Sequence, residues 1–368
     1  MVFSFLILAT APPVQAAVSI TEYNIPTASS QPHGLVLGPD GNMWFTEFTG
    51  NKISVMSPSG TVLNEYTIPT ANSQPNSITL GPDGNLWFTE FNANKIGVIT
   101  PTGTFIEHTI TGGSSPHTII AGPDGNMWFT HIGGNNIGRI TTSGAVTLFP
   151  TPTAGSNPYG ITLGPDGNLW FTEHVAGQIG KITTAGSITE YPLPGSPTRA
   201  PYDITAGADG NLWFTDETGR IGKITTSGSI TEYLVPSGST SDPHGIIAGP
   251  DGNLWFTERS ASANKIGMIT TAGVFSEYPI PTSGSVPFTI ARGPNDSIWF
   301  SESGANKLGV VLGLTLPTTS QPSTEQLADT GMNQLAVVGI ATALMVAALL
   351  IGIAYNLRHT ASRITIIK

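Results

Sequence analysis

The sequence predicts an all-β protein, a seven-bladed β-propeller whose blades each have four antiparallel strands. The first observation is the run Gly-Pro-Asp-Gly-Asn-Leu-Trp-Phe-Thr-Glu, which is complete at residues 81–90, 164–173 and 249–258. The second is that each of the seven tryptophans marks a copy of this run. Successive tryptophans lie 43, 41, 42, 43, 42 and 44 residues apart, a period typical of repeat architectures. The third is that the two ends of the array complement each other.

These ends indicate a closed ring. Residues 19–26 (SITEYNIP) resemble the fourth strand of a repeat but have no first three strands before them, and the last repeat, residues 288–312, has three strands without a fourth. We therefore expect the N-terminal strand to complete the seventh blade, which removes the open edges that invite aggregation. An open solenoid is the alternative, but it needs atypical terminal repeats, which this sequence lacks.

Composition excludes two classes of chemistry. Only 10% of the 368 residues are charged, the net charge is −10, and no Lys/Arg cluster precedes the C-terminal end, so we expect no nucleic-acid partner. The absence of cysteine excludes disulfides, thiolate metal sites and a cysteine nucleophile.

An N-terminal secretory signal is predicted over residues 1–16. An apolar run at residues 2–11 (VFSFLILATA) is followed by the small-residue site Val14-Gln15-Ala16, in the order expected of a cleaved signal. The mature chain is then expected to begin near Ala17, although no Lys or Arg precedes the apolar run. A buried strand is the alternative, but the segment has no place in the repeat.

Repeat two shows how the strands follow from the residues. Residues 76–80 form a β-type run that ends at a Gly-Pro-Asp-Gly turn, where Asp-Gly supplies the positive φ of a tight hairpin. Residues 86–89 are predicted to be buried on both faces, because their apolar residues do not alternate with polar ones. Third and fourth strands are predicted at residues 95–100 and 105–110. The propeller as a whole is expected to occupy residues 17–314.

Blade geometry predicts which residues meet at one end of the central channel. In a four-stranded blade the fourth-to-first and second-to-third connections share one face, called the loop face here, and longer loops carry function more often than tight turns do. On each innermost strand, the residue after the proline is expected to point to the channel mouth; these residues are His33, Asn76, His117, Tyr159, Tyr202, His244 and Phe288. We expect a polar ligand to contact four of them, His33, His117, Tyr159 and Tyr202.

A second set of residues stands three positions after each tryptophan: Glu47, Glu90, His131, Glu173, Asp216, Glu258 and Glu302. We expect these side chains to reach the same mouth, where carboxylates could bind Mg²⁺ or Ca²⁺ through oxygen. The alternative is that each Glu only hydrogen-bonds a neighbouring loop. The Trp and Phe of each repeat are predicted to pack between blades, and the Lys of Asn-Lys-Ile-Gly to lie on a solvated outer strand.

The repeat resembles the blade consensus of the virginiamycin B lyases, also called streptogramin lyases. The resemblance rests on Gly-Pro-Asp-Gly-Asn-Leu-Trp-Phe-Thr-Glu, Asn-Lys-Ile-Gly and Ile-Thr-Glu-Tyr-Pro-Leu-Pro, and it covers residues 18–312. It implies the propeller fold. For the enzymes of the family it implies a Mg²⁺-assisted elimination that opens cyclic streptogramin B antibiotics at their ester bond.

By the same resemblance, the sixth blade would carry the chemistry. His244 matches the general base, and Asp242 matches an acidic metal ligand directly before the proline, where the family usually has Glu. Glu258 is expected to be the second ligand, one residue before the family's position, which is Arg259 here. A cation could then polarise a carbonyl while neutral imidazole takes the proton. The family's binding His and Tyr in the adjacent blades correspond to Tyr202 and Phe288.

Beyond the repeats, the sequence predicts a surface anchor. Residues 315–334 form a Pro/Ser/Thr-rich stalk, residues 335–355 are uncharged and long enough to span a bilayer, and residues 356–368 form a basic cytoplasmic tail. The propeller would then lie outside the cell. A pentapeptide in the stalk resembles the Leu-Ala-X-Thr-Gly signals that sortases cleave, with a chance match as the alternative; its residues are Leu327, Ala328, Asp329, Thr330 and Gly331.

Two functional classes follow. The first is a bacterial surface module, held by the membrane or by sortase on the cell wall, whose loop face captures a glycan, a peptide or a small molecule. The second is a Mg²⁺-dependent lyase that uses Asp242, Glu258 and His244. We expect the first, because permanent anchoring suits capture and because the metal shell implied by the resemblance is incomplete.

Overall fold

The computed structural model describes residues 18–314, and this part of the chain is a closed ring of seven four-stranded antiparallel sheets. The predicted signal segment (residues 1–16), stalk, sorting motif, membrane span and tail lie outside the described residues. Within residues 18–314, no helix is long and apolar enough to cross a membrane.

The strands of the first four blades follow the repeat, after an initial strand β1 (Ser19–Asn24). Blade 1 contains β2 (Pro32–Leu37), β3 (Met43–Glu47), β4 (Lys52–Met56) and β5 (Val62–Thr67). Blade 2 contains β6 (Pro75–Leu80), β7 (Leu86–Glu90), β8 (Lys95–Ile99) and β9 (Phe105–Thr109). Blade 3 contains β10 (Pro116–Ala121), β11 (Met127–His131), β12 (Asn136–Ile140) and β13 (Val146–Pro150). Blade 4 contains β14 (Pro158–Leu163), β15 (Leu169–Glu173), β16 (Gln178–Ile182) and β17 (Ile188–Pro192).

The remaining blades close the ring. Blade 5 contains β18 (Pro201–Ala206), β19 (Leu212–Asp216), β20 (Arg220–Ile224) and β21 (Ile230–Leu234). Blade 6 contains β22 (Pro243–Ala248), β23 (Leu254–Glu258), β24 (Lys265–Ile269) and β25 (Phe275–Pro279). Blade 7 contains β26 (Pro287–Arg292), β27 (Ile298–Glu302), β28 (Lys307–Leu312) and the N-terminal β1. Strands β1 and β28 are antiparallel, with Ser19 opposite Leu312 and Asn24 opposite Lys307, so the predicted closure is confirmed and the solenoid alternative is wrong.

The repeated turn explains why an Asp stands four residues before the Trp in six of the seven blades. In blade 2 the Asp83 carboxylate accepts hydrogen bonds from the Asn85 amide groups and, at 3.0 Å, from the Trp87 indole N–H. Gly84 has φ 78°, which a residue with a Cβ adopts at a cost. In blade 7 a short 3₁₀ helix, Pro294–Asp296, replaces the turn, and the hydroxyl of Ser297 accepts the Trp299 N–H.

The core lies between blades rather than within one blade. All seven tryptophans are at most 1% exposed, and Trp87 of blade 2 packs in one cluster with Phe129 of blade 3. This confirms the predicted packing role of the Trp and Phe residues. The glycine of Asn-Lys-Ile-Gly has a packing reason as well, because a Cβ on Gly97 would lie 2.1 Å from the ring of Phe88.

Candidate functional site

Seven side chains meet where the innermost strands begin, and we call them the mouth ring: His33, Asn76, His117, Tyr159, Tyr202, His244 and Phe288. For six of them, all except His33, the placement follows from the Thr of a Trp-Phe-Thr run, which donates a hydrogen bond to the backbone carbonyl of the mouth residue in the next blade. Thr172 bonds the carbonyl of Tyr202 at 2.7 Å, and Thr215 bonds that of His244 at 2.6 Å. The repeat therefore fixes the backbone of the mouth ring, and the variable side chains decide what it presents.

Aromatic contacts close the mouth. The Tyr202 hydroxyl reaches across the channel from blade 5 to His117 Nε2 of blade 3, at 3.1 Å. His33 Nδ1 bonds the Asn76 side-chain oxygen at 2.9 Å, and the His33 ring stacks on Phe288 with centroids 4.0 Å apart. Burial lowers the pKa of His33 to about 4 and that of His117 to about 3, so both imidazoles are neutral near pH 7. The structure thus brings the predicted contact residues together, as a packed aromatic layer.

His244 has a defined tautomer. Its Nδ1 lies 3.1 Å from the carbonyl oxygen of Phe288, so Nδ1 carries the proton and donates it to this bond. Its Nε2 is buried and has no hydrogen-bond partner among residues 18–314. Burial lowers the pKa of His244 well below its usual value, and the nearby Arg259 cation lowers it further. Nε2 is therefore an unprotonated nitrogen with a free lone pair. The imidazole ring as a whole lies against the Tyr202 ring, with the two centroids 3.6 Å apart.

A second set of loop-face residues lies one position beyond each second strand, four residues after the tryptophan. Sequence reasoning considered this position only at Arg259, although its side chains change character around the ring. Blades 1 to 3 carry apolar residues there and blades 4 to 6 carry titratable or charged ones; the full set is Phe48, Phe91, Ile132, His174, Glu217, Arg259 and Ser303. We call it the rim set. Its signal was present in the sequence as a fixed offset from each tryptophan.

Contacts differ between the two halves of the rim set. Phe48 stacks on His33 with centroids 4.2 Å apart, which extends the aromatic layer over blade 1. On the opposite side, Arg259 Nη2 lies 3.2 Å from Glu217 Oε1, and Glu217 Oε2 lies 2.9 Å from His174 Nε2. Each of these three polar side chains is between 20% and 30% exposed. One edge of the mouth is therefore apolar and the other carries a linked network of charge.

The predicted metal pair does not converge. Asp242 Oδ2 accepts a hydrogen bond from Arg259 Nε at 2.8 Å, so this carboxylate already holds a cation. Glu258 is fully buried, and burial followed by the nearby Glu277 carboxylate raises its pKa to about 7 against the opposing effect of Ser237. Within residues 18–314, no group of three or more His, Asp or Glu side chains could hold a metal ion. This donor set does not fit a divalent cation, and Mg²⁺ or Ca²⁺ stays a prediction from the sequence.

The expectation that a ring of carboxylates lines the mouth is wrong. All seven side chains at the third position after tryptophan have 0% exposure. Successive side chains of a strand alternate between its two faces, so Glu258 shares a face with Phe256, which packs against Trp213 of the preceding blade. Each of these seven side chains therefore lies between two blades and does not reach the channel. The alternative, hydrogen bonding to a neighbouring loop, is not observed for Glu258 either, because both of its carboxyl oxygens are buried without a hydrogen-bond partner among residues 18–314.

Buried carboxyls instead sit beside the lysines that were predicted to be solvated. In blade 2, burial and the Glu107 carboxylate raise the pKa of Glu90 to about 8, while Glu107 pairs with Lys95 at 2.9 Å. Lys95 is 24% exposed, so it is partly solvated as predicted, although it lies on the third strand of its blade and pairs with Glu107. Equivalent Lys–Glu pairs join Lys52 to Glu65, Lys265 to Glu277 and Lys307 to Glu22. This layer stabilises the fold and lies outside the site.

Below the mouth, the channel wall holds a half-buried carboxyl that sequence reasoning missed. Asp203 accepts hydrogen bonds from the backbone N–H of Ile204 at 2.9 Å and of Ile246 at 3.1 Å, and burial raises its pKa to about 6. Because Asp203 Oδ2 bonds the next blade, it joins blades 5 and 6 at the channel wall. Its contacts give it a structural role beneath His244.

Comparison with known proteins agrees with this architecture. The sequence profile of the virginiamycin B lyase family matches residues 12–261 and 246–318. The chain belongs to this family. A 45-residue segment is 48% identical to the virginiamycin B lyase of Bacillus licheniformis, over 12% of this chain and 15% of that relative.

Solved structures of virginiamycin B lyases extend the match to the whole propeller. A streptogramin B lyase structure is 39% identical, with a TM-score of 0.75, over 80% of this chain and 97% of that chain. A catalytically inactive histidine-to-alanine variant of the Staphylococcus aureus virginiamycin B lyase with quinupristin is 40% identical, with a TM-score of 0.75, over 80% of this chain and 99% of that chain. Family membership and fold are thus established, and the roles of His244, Asp242 and Glu258 remain predictions from the resemblance.

Proposed function

We propose that this virginiamycin B lyase family member is a surface-displayed propeller whose loop face binds one small amphipathic molecule. The observation that carries the proposal is the division of the rim set into an aromatic half and a charged half above the mouth ring. The repeats are similar in sequence, but the mouth-ring and rim-set residues differ from blade to blade. Both sets lie on the loop face. The result is a single asymmetric site.

The aromatic half supplies contact area. Phe48 is half-buried and continues the stack formed by His33 and Phe288, and Phe91 lies edge-on to His117 with centroids 6.3 Å apart. Aromatic surfaces of this kind contribute strongly to binding because they bury a large apolar area with little loss of side-chain freedom. An apolar or aromatic group of the ligand is expected to lie here.

The charged half supplies orientation. Arg259 and Glu217 are fixed by mutual hydrogen bonds, so their remaining polar atoms meet a ligand without first losing conformational freedom. A few placed polar groups beside an apolar surface are typical of small-molecule sites. A peptide-like molecule with carbonyl groups and apolar side chains satisfies both halves.

Surface display rests on the sequence patterns at both ends. The predicted signal at residues 1–16 supports export, and the predicted span at residues 335–355 with the motif at Leu327 to Gly331 supports anchoring by membrane or by sortase. Treatment of intact cells with detergent and with wall-degrading enzymes tests this directly. Release of the full-length protein by detergent alone would contradict wall attachment.

Calorimetric titration with quinupristin, a cyclic depsipeptide found with one family member, tests the binding proposal. Saturable one-to-one binding supports it. Failure of quinupristin and of other cyclic depsipeptides to bind, together with binding on a glycan array, would contradict it.

A lyase is the second candidate, and the free Nε2 of His244 favours it. For elimination at an ester, this nitrogen would take a proton from the carbon adjacent to a carbonyl; the C–H electrons form a C=C bond, and the neighbouring C–O bond breaks to release a carboxylate. The opened product has the same mass as the ring, whereas hydrolysis adds one water. Chromatography with mass detection of quinupristin after incubation with the protein therefore separates the three outcomes. Elimination gives a new peak of unchanged mass, hydrolysis gives a peak heavier by one water, and binding without turnover leaves the original peak alone.

A further inference from the structure

We propose that Arg259 takes the place of a metal ion at this site and binds a neutral carbonyl oxygen of the ligand directly, so that ligand binding needs no divalent cation. The proposal rests on the proposed function, because it names the group that receives the polar part of the ligand. It begins from a disagreement: the resemblance implies an acidic metal ligand at position 259, and the chain has the opposite charge there.

Two carboxylates from different blades hold the guanidinium. Asp242 Oδ2 lies 2.8 Å from Arg259 Nε in the sixth blade, and Glu217 Oε1, which follows the second strand of blade 5, lies 3.2 Å from Nη2. Glu217 is itself held by His174 Nε2 at 2.9 Å. Such a guanidinium has few alternative orientations, and its plane is fixed at the boundary between blades 5 and 6.

Unused hydrogen-bond donors remain on Arg259. A guanidinium carries five N–H groups, and within residues 18–314 Arg259 donates only to Asp242 and Glu217. The side chain is 30% exposed, so a ligand can reach it. Arg259 therefore has the donors and the access to bind an oxygen of a molecule seated on the loop face.

Local charge selects the kind of oxygen. The carboxylates of Asp242 and Glu217 already offset the single positive charge of Arg259, so an additional carboxylate would gain no net attraction there, whether or not His174 beside Glu217 carries a proton. A neutral ester or amide carbonyl needs no excess positive charge and accepts a hydrogen bond from a charged donor, which is stronger than one from a neutral donor. The ligand class is accordingly a neutral peptide or depsipeptide.

A divalent cation competes poorly for the same place. To bind Asp242 it must displace the guanidinium or lie beside it as a like charge, and Glu258 offers no second ligand because its carboxyl is buried between blades 5 and 6. Arg259 thus supplies the positive charge that a metal ion would supply at this place, and it keeps a metal ion from binding there.

Mn²⁺ binding tests the proposal, measured by electron paramagnetic resonance and calorimetry on the purified full-length protein. We expect no saturable Mn²⁺ binding by the unaltered protein and a gain of binding in Arg259→Glu, which is lost again when Asp242→Asn is added. Arg259→Gln removes the competing positive charge without adding a carboxylate. It serves as the second variant for the Mn²⁺ measurement in case Arg259→Glu does not fold. Saturable Mn²⁺ binding by the unaltered protein that Asp242→Asn abolishes would overturn the proposal.

Quinupristin titration in EDTA and in Mg²⁺ supplies a second readout. We expect the same Kd within about twofold in both buffers, and a loss of roughly tenfold or more in Arg259→Gln, with Arg139→Gln on a different strand as the matched control. Binding that requires Mg²⁺ would overturn the Arg259 proposal and leave the binding proposal intact. If quinupristin binds in neither buffer, the binding proposal fails for this probe, and the Mn²⁺ measurement still decides the role of Arg259.

Discussion

His244 and Arg259 show how single contacts set the chemistry of the loop face. One carbonyl, that of Phe288, fixes the proton of His244 on Nδ1 and leaves Nε2 free. Two carboxylates fix the guanidinium of Arg259. A buried base and an oriented hydrogen-bond donor therefore lie at the edge of the same mouth. Single substitutions can distinguish their two roles.

Replacement of His244 by Ala is expected to abolish any elimination of quinupristin, because no other described side chain of the mouth ring offers a buried, unpartnered ring nitrogen. Binding is expected to change by less than about tenfold, since the contact area lies mainly in the aromatic half. Chromatography of the products with mass detection measures elimination, and calorimetry measures binding. His108→Ala, on an outer strand, is the control, and turnover that survives His244→Ala would show that another group is the base.

Residue identities at the mouth were predictable from the sequence because a proline marks each position, and the structure brings all seven residues together. The expectation that the Glu258 side chain points to the mouth was wrong. Its place at a strand end was right, but strict alternation with Thr257 turns its side chain toward the preceding blade. The contact between Tyr202 and His117 could not be predicted, because these residues lie 85 positions apart and only ring geometry brings them close.

At the scale of elements, one loop residue of blade 7 reinforces the ring closure that β1 and β28 form by pairing. Asn306 has φ 58° and donates to the carbonyls of Ile25 and Thr27, while its side-chain oxygen accepts two bonds from Ser30. The same side chain therefore ties the last repeat to the segment after β1. The Asn in each Asn-Lys-Ile-Gly run was visible in the sequence, but its bonding role depends on a left-handed backbone that the motif alone does not reveal.

Asn306→Ala is expected to lower the free energy of unfolding by roughly 2 to 4 kcal/mol, through lost hydrogen bonds and the cost of a positive φ. Asn306→Gly should cost less, because glycine accepts that φ and loses only the bonds. Chemical denaturation measures both. Equal stability of the unaltered protein and both variants would show that closure does not depend on this residue.

For the whole molecule, buried acids and histidines predict a stability maximum at mildly acidic pH. The pKa is raised to about 8 for Glu90, Glu173 and Glu302, so these groups hold a proton in the folded state that the unfolded chain loses above about pH 4.5. Stability contributed by them is lost as pH rises toward 8. His33 and His117 have lowered pKa values, so their contribution is lost as pH falls below about 6.5.

We therefore expect the melting temperature to be highest at about pH 4.5 to 5, because the three carboxyls outweigh the two histidines above that range, and to fall by several degrees toward pH 9, with each buried carboxyl contributing on the order of 1 kcal/mol. Glu90→Gln removes one titrating group and should flatten the alkaline decline. Calorimetric scans across this range provide the measurement. A melting temperature that rises from pH 6 to pH 9 would contradict the assignment of protonated acids between the blades.

The central claim is that one molecule spans the aromatic and charged halves of the loop face. Calorimetric titration of quinupristin into the unaltered protein, Phe48→Ala, Arg259→Gln and the outer-strand control Leu63→Ala tests it most directly. We predict one binding site per chain, roughly tenfold or greater weakening in each of the two loop-face variants, and no change in the control. Unchanged affinity in both loop-face variants, with binding still one-to-one, would place the ligand elsewhere and contradict the claim.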